Sequence, residues 1–337
     1  MSVDAARHPG GAHPHDRGLS ASLKRQLPAA CVFGATVLAA ACAPSPPSPV
    51  RQTLTLIMGG PTSPAAELGD ALANTYRMMV PGVQIQLHPS IGSVGNVNAL
   101  QAGEADIGVT FADIAYFAFA GQLEPGNRPF DRLRAIAVLT LVPVNLVVKP
   151  GSEIHEVADL RGKRVGIGGV GTGGLVAATV VLKAFGIELD MIHAERVPAL
   201  DAPRKLEDGS LDAYFITGYL EPPDDFIRPT RVVLPLAGPA IDRLSHEYAF
   251  LRPMRVAPGV YPGGPVRTVG VDWLLVCRSG LDEALVYTFT KSFFENLPAL
   301  SSALDSLKFM DLERAPATPI PLHEGAARYY REREVSR

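Results

Sequence analysis

At 337 residues the chain is long enough for two domains, each able to bury its own core. Its formal charge of −3 comes from 31 Lys and Arg against 34 Asp and Glu, without a basic block or an aromatic-basic stripe, which argues against nucleic acid as a partner. Hydrophobic residues make up 47% and charged residues 19%, the balance of an ordinary globular protein.

Residues 1–42 read as an export signal. His8, His13 and His15 are loosely spaced and fit a solvated tail better than a metal site. Lys24 and Arg25 precede LPAACVFGATVLAAAC, an apolar run too short to stay in a bilayer as a span. Its end, Leu38-Ala39-Ala40-Ala41-Cys42, resembles a bacterial lipoprotein signal in which Cys42 becomes the acylated first residue, with Ala39 where a larger aliphatic residue is usual. Ordinary cleavage after a small-residue pair is the alternative. Residues 43–51, rich in Pro and Ser, form a semi-rigid tether. Of the three cysteines, Cys31 leaves with the signal and Cys42 carries lipid, so Cys277 in DWLLVCR is expected as a buried, inert thiol without a disulfide.

From Thr53 short apolar runs alternate with helical patterns. LTLIM predicts a strand, and Ser63 followed by Pro64 predicts the start of a helix through AAELGDALANTYRMM, with Leu68, Leu72 and Met79 on one face. VQIQL predicts a second strand after the Pro81-Gly82 turn, then a short helix from Val94, a strand ADIGVTF and a helix DIAYFAFAG. This is the α/β pattern of a largely parallel sheet. LQAGEADIGVTF and LEDGSLDAYFIT echo each other: Leu100 answers Leu206, Gly103 answers Gly209, Asp106 answers Asp212, and Thr110 answers Thr217 within one residue. Each copy ends a helix at a glycine suited to the left-handed cap and continues into a buried strand, which predicts two lobes of similar construction. LRAIAVLTLVPVNLVVKPGS, read as two apolar strands broken at Pro143, and TVGVDWLLVCRSG, of the same character, predict extended strands that cross between the lobes as a double hinge. One lobe is placed at 52–143 and 275–337, the other at 144–274.

RVGIGGVGTGG contains G-x-G-x-x-G at Gly166, Gly168 and Gly171, which opens two readings. A dinucleotide loop needs an acidic residue at the end of the next strand; Asp190 has the right separation but precedes the strand predicted in MIHAERV. Alternatively, Thr172 and the N–H groups of Gly173 and Gly174 hold an anion at the start of the helix GLVAATVVLKAFG. SIGSVGN, with Ser90, Gly92 and Ser93, offers what reads as an equivalent site in the other lobe, and two such loops favour one ligand held between lobes. A nucleophile elbow, a metal-spaced His/Cys set and a close His–carboxylate pair are all missing from the sequence, so no enzyme, cofactor or metal is expected. His323, Tyr329 and Tyr330 read as helix-packing groups.

GSVGNVNALQAGEADIGV, DIAYFAFAG, VADLRGKRVGIGGVGTGG, LEDGSLDAYFITG, GVYPGGPVRTVGV and PLHEGAARYYRE, in that order, resemble the TAXI group of TRAP-transporter solute receptors over nearly all of residues 52–332. The resemblance implies an α/β, two-lobed type II periplasmic-binding-protein fold with a hinge and an interlobe cleft. It further implies a periplasmic or extracytoplasmic monomer that closes on a small carboxylate, glutamate- or dicarboxylate-like, and delivers it to a membrane permease driven by an ion gradient. A clamp of the same design could instead signal to a membrane kinase. The implied ligand residues are Ser93 and Asn96 in the first lobe, Gly171, Thr172 and Gly173 in the second, and Asp113 near the cleft, for which a helix N-cap is an equal alternative. Gly60, Thr62, Ser63, Ser90 and Thr217 complete the candidate set. The chain departs from the family at GGPTSP, residues 59–64, which lacks the two tyrosines usual there, and at Phe111, where many members carry Gln.

Mass spectrometry of the processed protein is expected to find an acylated Cys42 as the first residue. An unmodified terminus elsewhere removes the lipid, and a retained leader removes export.

Overall fold

The computed structural model describes residues 52–60, 63–80, 82–123, 126, 128–218, 231–258, 260, 261 and 264–335. The expected signal and tether, Cys42 with them, and Thr62 of the first loop lie outside the described residues. The chain opens with β1 (Gln52–Ile57), α1 (Pro64–Met79), β2 (Val83–His88), α2 (Ser93–Ala102), β3 (Ile107–Phe111) and α3 (Ala112–Phe119). A long β4 (Leu133–Val148) leads to β5 (Arg164–Gly166), α4 (Gly173–Ala184), β6 (His193–Glu195), α5 (Ala202–Glu207) and β7 (Ala213–Thr217). Then come β8 (Val232–Leu234), α6 (Pro239–Glu247), β9 (Leu251–Val256), a long β10 (Val266–Arg278), and α7 (Glu283–Glu295), α8 (Leu297–Ala303) and α9 (Glu324–Val335).

Helix α1 starts where the sequence signals it. Ser63 holds the N-cap in extended conformation, and Pro64 takes the first helical position, where a missing N–H leaves nothing unpaired. Leu68, Leu72 and Tyr76, spaced four apart, are fully buried, each such side chain contributing roughly 1.5–3 kcal/mol of transfer free energy. Tyr76 meets Phe289 of α7 edge-on, with centroids 4.4 Å apart.

Among the described residues, one sheet runs in the order β2-β1-β3-β10-β4-β7-β5-β6, with β8 beside β4 and β9 beside β10. The order is symmetric about the β10–β4 pair. β1 lies parallel between β2 and β3, and β5 lies parallel between β6 and β7. β10 runs antiparallel to β3, and β4 runs antiparallel to β7. The sheet is therefore mixed rather than largely parallel, because each half ends in a strand delivered from the other side of the molecule. This is the type II periplasmic-binding-protein architecture.

The sequence echo falls at matching places in the two halves. Gly103 and Gly209 both take left-handed φ values, 81° and 80°. Asp106 donates its N–H to Thr55 O and accepts Thr55 N–H on Oδ2; Asp212 does the same with Arg164, each of these bonds 2.8 or 2.9 Å long. Each carboxylate also grips a guanidinium, Asp106 that of Arg278 and Asp212 that of Arg164. The aspartate thus clips its strand to the neighbouring parallel strand at the point where pairing begins.

β4 and β10 belong to both halves. β10 pairs with β9 from Val266 to Val271, then with β3 from Trp273 to Cys277, while β4 faces β10 first and β7 afterwards. Pro143 stands opposite Gly270, where a Cβ would lie 2.5 Å from Leu141 Cγ. Register shifts in the β4–β10 ladder coincide with bonds from the C-terminal segment: Tyr330 Oη donates to Ile136 O at 3.0 Å, and Val138 N–H donates to Ala315 O at 2.8 Å. His323 is buried, its Nε2 near Leu281 O and its Nδ1 accepting Gly325 N–H, so it and Tyr330 are packing groups. Cys277 is also fully buried, and burial pushes its thiol well above the ordinary range.

Replacing Asp106 or Asp212 by Ala is expected to lower stability to urea by about 1–3 kcal/mol, with Asp212 at the low end because its ion pair is partly exposed and screened. Equal, negligible losses at both positions would remove the strand-clip role.

Candidate functional site

The parallel strands of the two halves run in opposite directions, so their carboxyl ends point towards one another across a cavity of about 180 Å³. The first half contributes Gly59, Gly60, Ser63 and Ala65 after β1, Ile91, Gly92, Ser93 and Asn96 after β2, and Val109 and Phe111 on β3. The second half contributes Thr172, Gly173 and Gly174 after β5, Ala199 after β6, and Thr217 and Gly218 at the end of β7, and Trp273 of β10 closes the set. Ligands of open α/β sheets bind outside the carboxyl ends of such strands. Among the described residues, the polar side chains of the lining are hydroxyls, one amide and one indole.

The helices α1, α2 and α4 all begin at this cavity: α1 with Pro64, which has no N–H, α2 with Val94 N–H bonded to Gly171 O, and α4 with Gly173 and Gly174 in the lining. Three helix N-termini bring partial positive charge to a lining that has no cationic side chain among the described residues. Thr172 caps α4: its hydroxyl donates to Gly169 O at 2.7 Å and accepts Leu175 N–H at 3.4 Å. Ser63, at the N-cap position of α1, makes the match of the first of these bonds, donating to Gly60 O at 2.7 Å, without a side-chain capping bond to the helix. The counterpart of the Thr172 loop is therefore the Ser63 loop, both following the central strand of a parallel trio. This corrects the expected pairing of Thr172 with Ser93, whose loop follows an outer strand.

The two halves touch at the cavity mouth. Val94 N–H donates to Gly171 O at 3.3 Å, and a Cβ on Gly171, which has φ 78°, would stand 2.4 Å from Ile91 Cδ1. The ring of Phe111 lies in a slot of two glycines: a Cβ at Gly173 would come within 2.3 Å of its Cδ2, and one at Gly218 within 3.1 Å of its Cζ. Phe111 and Thr217 are the last residues of β3 and β7 and hold the same place in the two halves. The expected partner of Thr217, Thr110, is one position off and fully buried beneath the site.

Of the candidate residues, Gly60, Ser63, Ser93, Asn96, Thr172, Gly173 and Thr217 line the cavity, and Gly171 forms the contact between the halves. Ser90 lies outside the lining; its hydroxyl donates to Met58 O and accepts Gly92 N–H, which holds the loop in shape. Asp113 is also outside the lining. It is fully buried in the first turn of α3, whose N-cap is Phe111, so it serves neither as that cap nor on the cavity wall. Its Oδ1 accepts Ile114 N–H at 2.8 Å, its Oδ2 has no partner, and burial pushes its pKa up to about 7. Asn96 is 1% exposed; Nδ2 donates to Val109 O at 2.7 Å, and Oδ1 has no partner. Thr217 Oγ1 is likewise buried without a partner.

Sequence reasoning missed Trp273, Ile91, Ala199 and Gly218. Gly218 is the residue after Thr217 in a motif already singled out, whereas Trp273 is brought in only by the register of β10 against β3. The dinucleotide reading of the glycine loop finds little support: Asp190 sits in a turn before β6, away from the strand end, and the cavity is far too small for a dinucleotide.

The chain belongs to the NMT1-like family, whose sequence model matches residues 66–333. Among solved structures it is similar to XAC2383 from Xanthomonas citri bound to ATP, at 14% identity and a TM-score of 0.53, covering 84% of this chain and 98% of that one. The same protein bound to chloride ion matches at 13% identity and 0.53, over 84% and 99%. PhnD1 from Prochlorococcus marinus (MIT 9301) in complex with methylphosphonate matches at 12% identity and 0.52, over 85% and 99%. At these identities the likeness is one of fold.

Burial raises the Asp113 pKa in the folded chain above the unfolded value of about 3.9, so the folded form keeps a proton that the unfolded chain releases. Its favourable contribution is complete below about pH 4 and is lost as pH rises through about 7. Asp113→Asn, a mimic of the protonated acid, is expected to gain melting temperature over the parent as pH goes from 5 to 8. Parallel pH profiles for the two proteins would remove the buried, protonated carboxyl.

Proposed function

We propose that this NMT1-like chain is an extracytoplasmic solute receptor that closes two lobes around a small anion, a carboxylate, and hands it to a membrane permease of the TRAP type. The observation that carries this reading is the cavity itself. It is shared between two similarly built halves, joined by two crossing strands, and three helix N-termini aim into it without a cationic side chain among the described lining. Such a site binds an anion weakly while open to water and tightly once closure excludes water. The hydroxyl of Thr172 donates to a backbone carbonyl rather than to a base, which supports binding rather than catalysis.

Several sequence features support the finer parts of the reading. The TRAP assignment rests on the ordered TAXI motifs, the extracytoplasmic location on the leader, and membrane attachment on Cys42. No described helix is long and apolar enough to cross a membrane. Methylphosphonate in PhnD1 is a small anion in a protein of the same fold, consistent with an anion here.

The reading is tested by thermal-shift and calorimetric screening of the folded region against small carboxylates, with small-angle X-ray scattering to follow closure. At least one carboxylate is expected to raise the melting temperature and reduce the radius of gyration. Gly173→Ala places a Cβ in the space of Phe111 Cδ2, so it is expected to remain open and to lose at least about tenfold in affinity. Phe111→Ala combined with Gly173→Ala is expected to restore compaction. If no small anion binds, or if Gly173→Ala closes and binds like the parent, the reading fails.

A further inference from the structure

We propose that the solute is a short alkyl monocarboxylate, an acid with one charge and no other polar group, and that Phe111 sets the longest chain the cavity admits. This deepens the receptor reading and rests on it.

Charge sets the first limit. The described lining carries no Lys, Arg, Asp or Glu. One negative charge is matched at the start of α4, where Gly173 and Gly174 line the cavity and their N–H groups have no acceptor inside the helix. Ser93 Oγ lies beside them, 3.0 Å from where a Cβ on Gly173 would stand. It accepts Phe111 N–H at 3.3 Å, which leaves its own O–H to donate. A second carboxylate, or the ammonium of an amino acid, would be dehydrated without an opposing charge, which is costly.

Polar contacts set the second. Asn96 Oδ1 and Thr217 Oγ1 have no surface open to the cavity, and Asn96 Nδ2 is held on Val109 O. The Ser63 and Thr172 hydroxyls direct their hydrogens to Gly60 O and Gly169 O. Among the described side chains the donors that remain in the lining are the Ser93 O–H and the indole N–H of Trp273, and donors serve a carboxylate. The rest of the wall is glycine and the apolar groups of Ala65, Ile91, Val109, Phe111, Ala199 and Trp273. An alkyl chain fits such a wall, whereas a hydroxyl or amino group on that chain would lose water to face carbon.

Size sets the third. A cavity of about 150 Å³ takes a molecule the size of benzene, so about 180 Å³ admits roughly six to eight non-hydrogen atoms. Butyrate, pentanoate and hexanoate fall within roughly this size, and octanoate exceeds it. Phe111 causes the limit. Its ring occupies the slot of Gly173 and Gly218, within 2.3 and 3.1 Å of where their Cβ atoms would stand, and so takes the space into which a longer chain would extend.

The test is calorimetry of the folded region with the unbranched acids from acetate to octanoate, with lactate and alanine, which match butyrate in size, and with succinate, methanesulfonate and methylphosphonate. Affinity is expected to peak between butyrate and hexanoate and to fall at least about tenfold by octanoate. Butyrate is expected to bind at least about tenfold more tightly than lactate, alanine and succinate. Phe111→Ala is expected to move the peak to longer chains, so that octanoate gains at least about tenfold relative to butyrate. Phe111→Leu is expected to move it less, in the same direction, with circular dichroism confirming each fold. Octanoate bound by the parent as tightly as butyrate, lactate, alanine or succinate bound as tightly as butyrate, or a chain-length profile unchanged in the folded variants overturns this proposal and leaves the carboxylate receptor standing. Binding of only the sulfonate or phosphonate overturns the carboxylate as well, and binding of nothing overturns the receptor reading itself.

Discussion

The antiparallel pairing of β4 with β10 is the constraint on which the rest depends. Every other strand lies in one half or the other, and these two carry the sheet across. Because they run in opposite directions, each enters one half as its fourth strand and leaves the other as its own, which makes the two halves alike although the chain passes through them unequally. Pro143 and Gly270 face each other where the strands change partners. The proline offers no N–H and the glycine no side chain, so the ladder lacks a donor there, and the Cβ-free contact with Leu141 lets the strands approach closely. A hinge needs few bonds to be remade as it bends, and a missing donor at the crossing favours that.

With the halves fixed in this relation, the chemistry of the cavity follows from which residue ends each strand. β3 ends in an aromatic ring and β7 in a hydroxyl, at equivalent positions. The ring crosses the cleft into a glycine slot of the other half, so apolar contact joins the two halves there. Polar recognition is left to backbone N–H groups and to a few neutral side chains. In the proposed receptor such a site would suit an ion that has to be released again, since its donors would be rehydrated as soon as the halves part.

Much of this was legible from local signals. Ser63-Pro64 marked α1, Gly103 and Gly209 marked helix ends, and the repeated aspartate announced two similar halves because its job, clipping a strand to its neighbour, is done by one short motif. Pro143 misled, because the run expected as two strands broken there is one continuous strand, β4, in which the proline keeps its place opposite Gly270. Relations between distant segments were not legible. The spacing of hydroxyls suggested Ser93 as the partner of Thr172, whereas strand order, which no local pattern encodes, makes it Ser63. Asp113 entered the candidate set through the family resemblance, and only packing shows it buried in the first turn of α3, off the cavity wall. Phe111 was noticed as a departure from a pattern, but its glycine slot joins residues from three separate loops.

The second half of the molecule is an insertion within the first, and that has consequences for how the protein comes to be folded. β3 has no neighbour on one side until β10 arrives, and Asp106 meets Arg278 across a sequence separation of 172. The hydrogen bond from Tyr330 to Ile136 spans 194. Contacts this distant make for slow, late folding of the first half, while the segment from β5 to β7 can organise locally. During synthesis the first half therefore stays incomplete until the last strands and helices emerge. In the exported receptor proposed above, which would cross a membrane as an extended thread before folding, that delay would keep the chain in a transportable form.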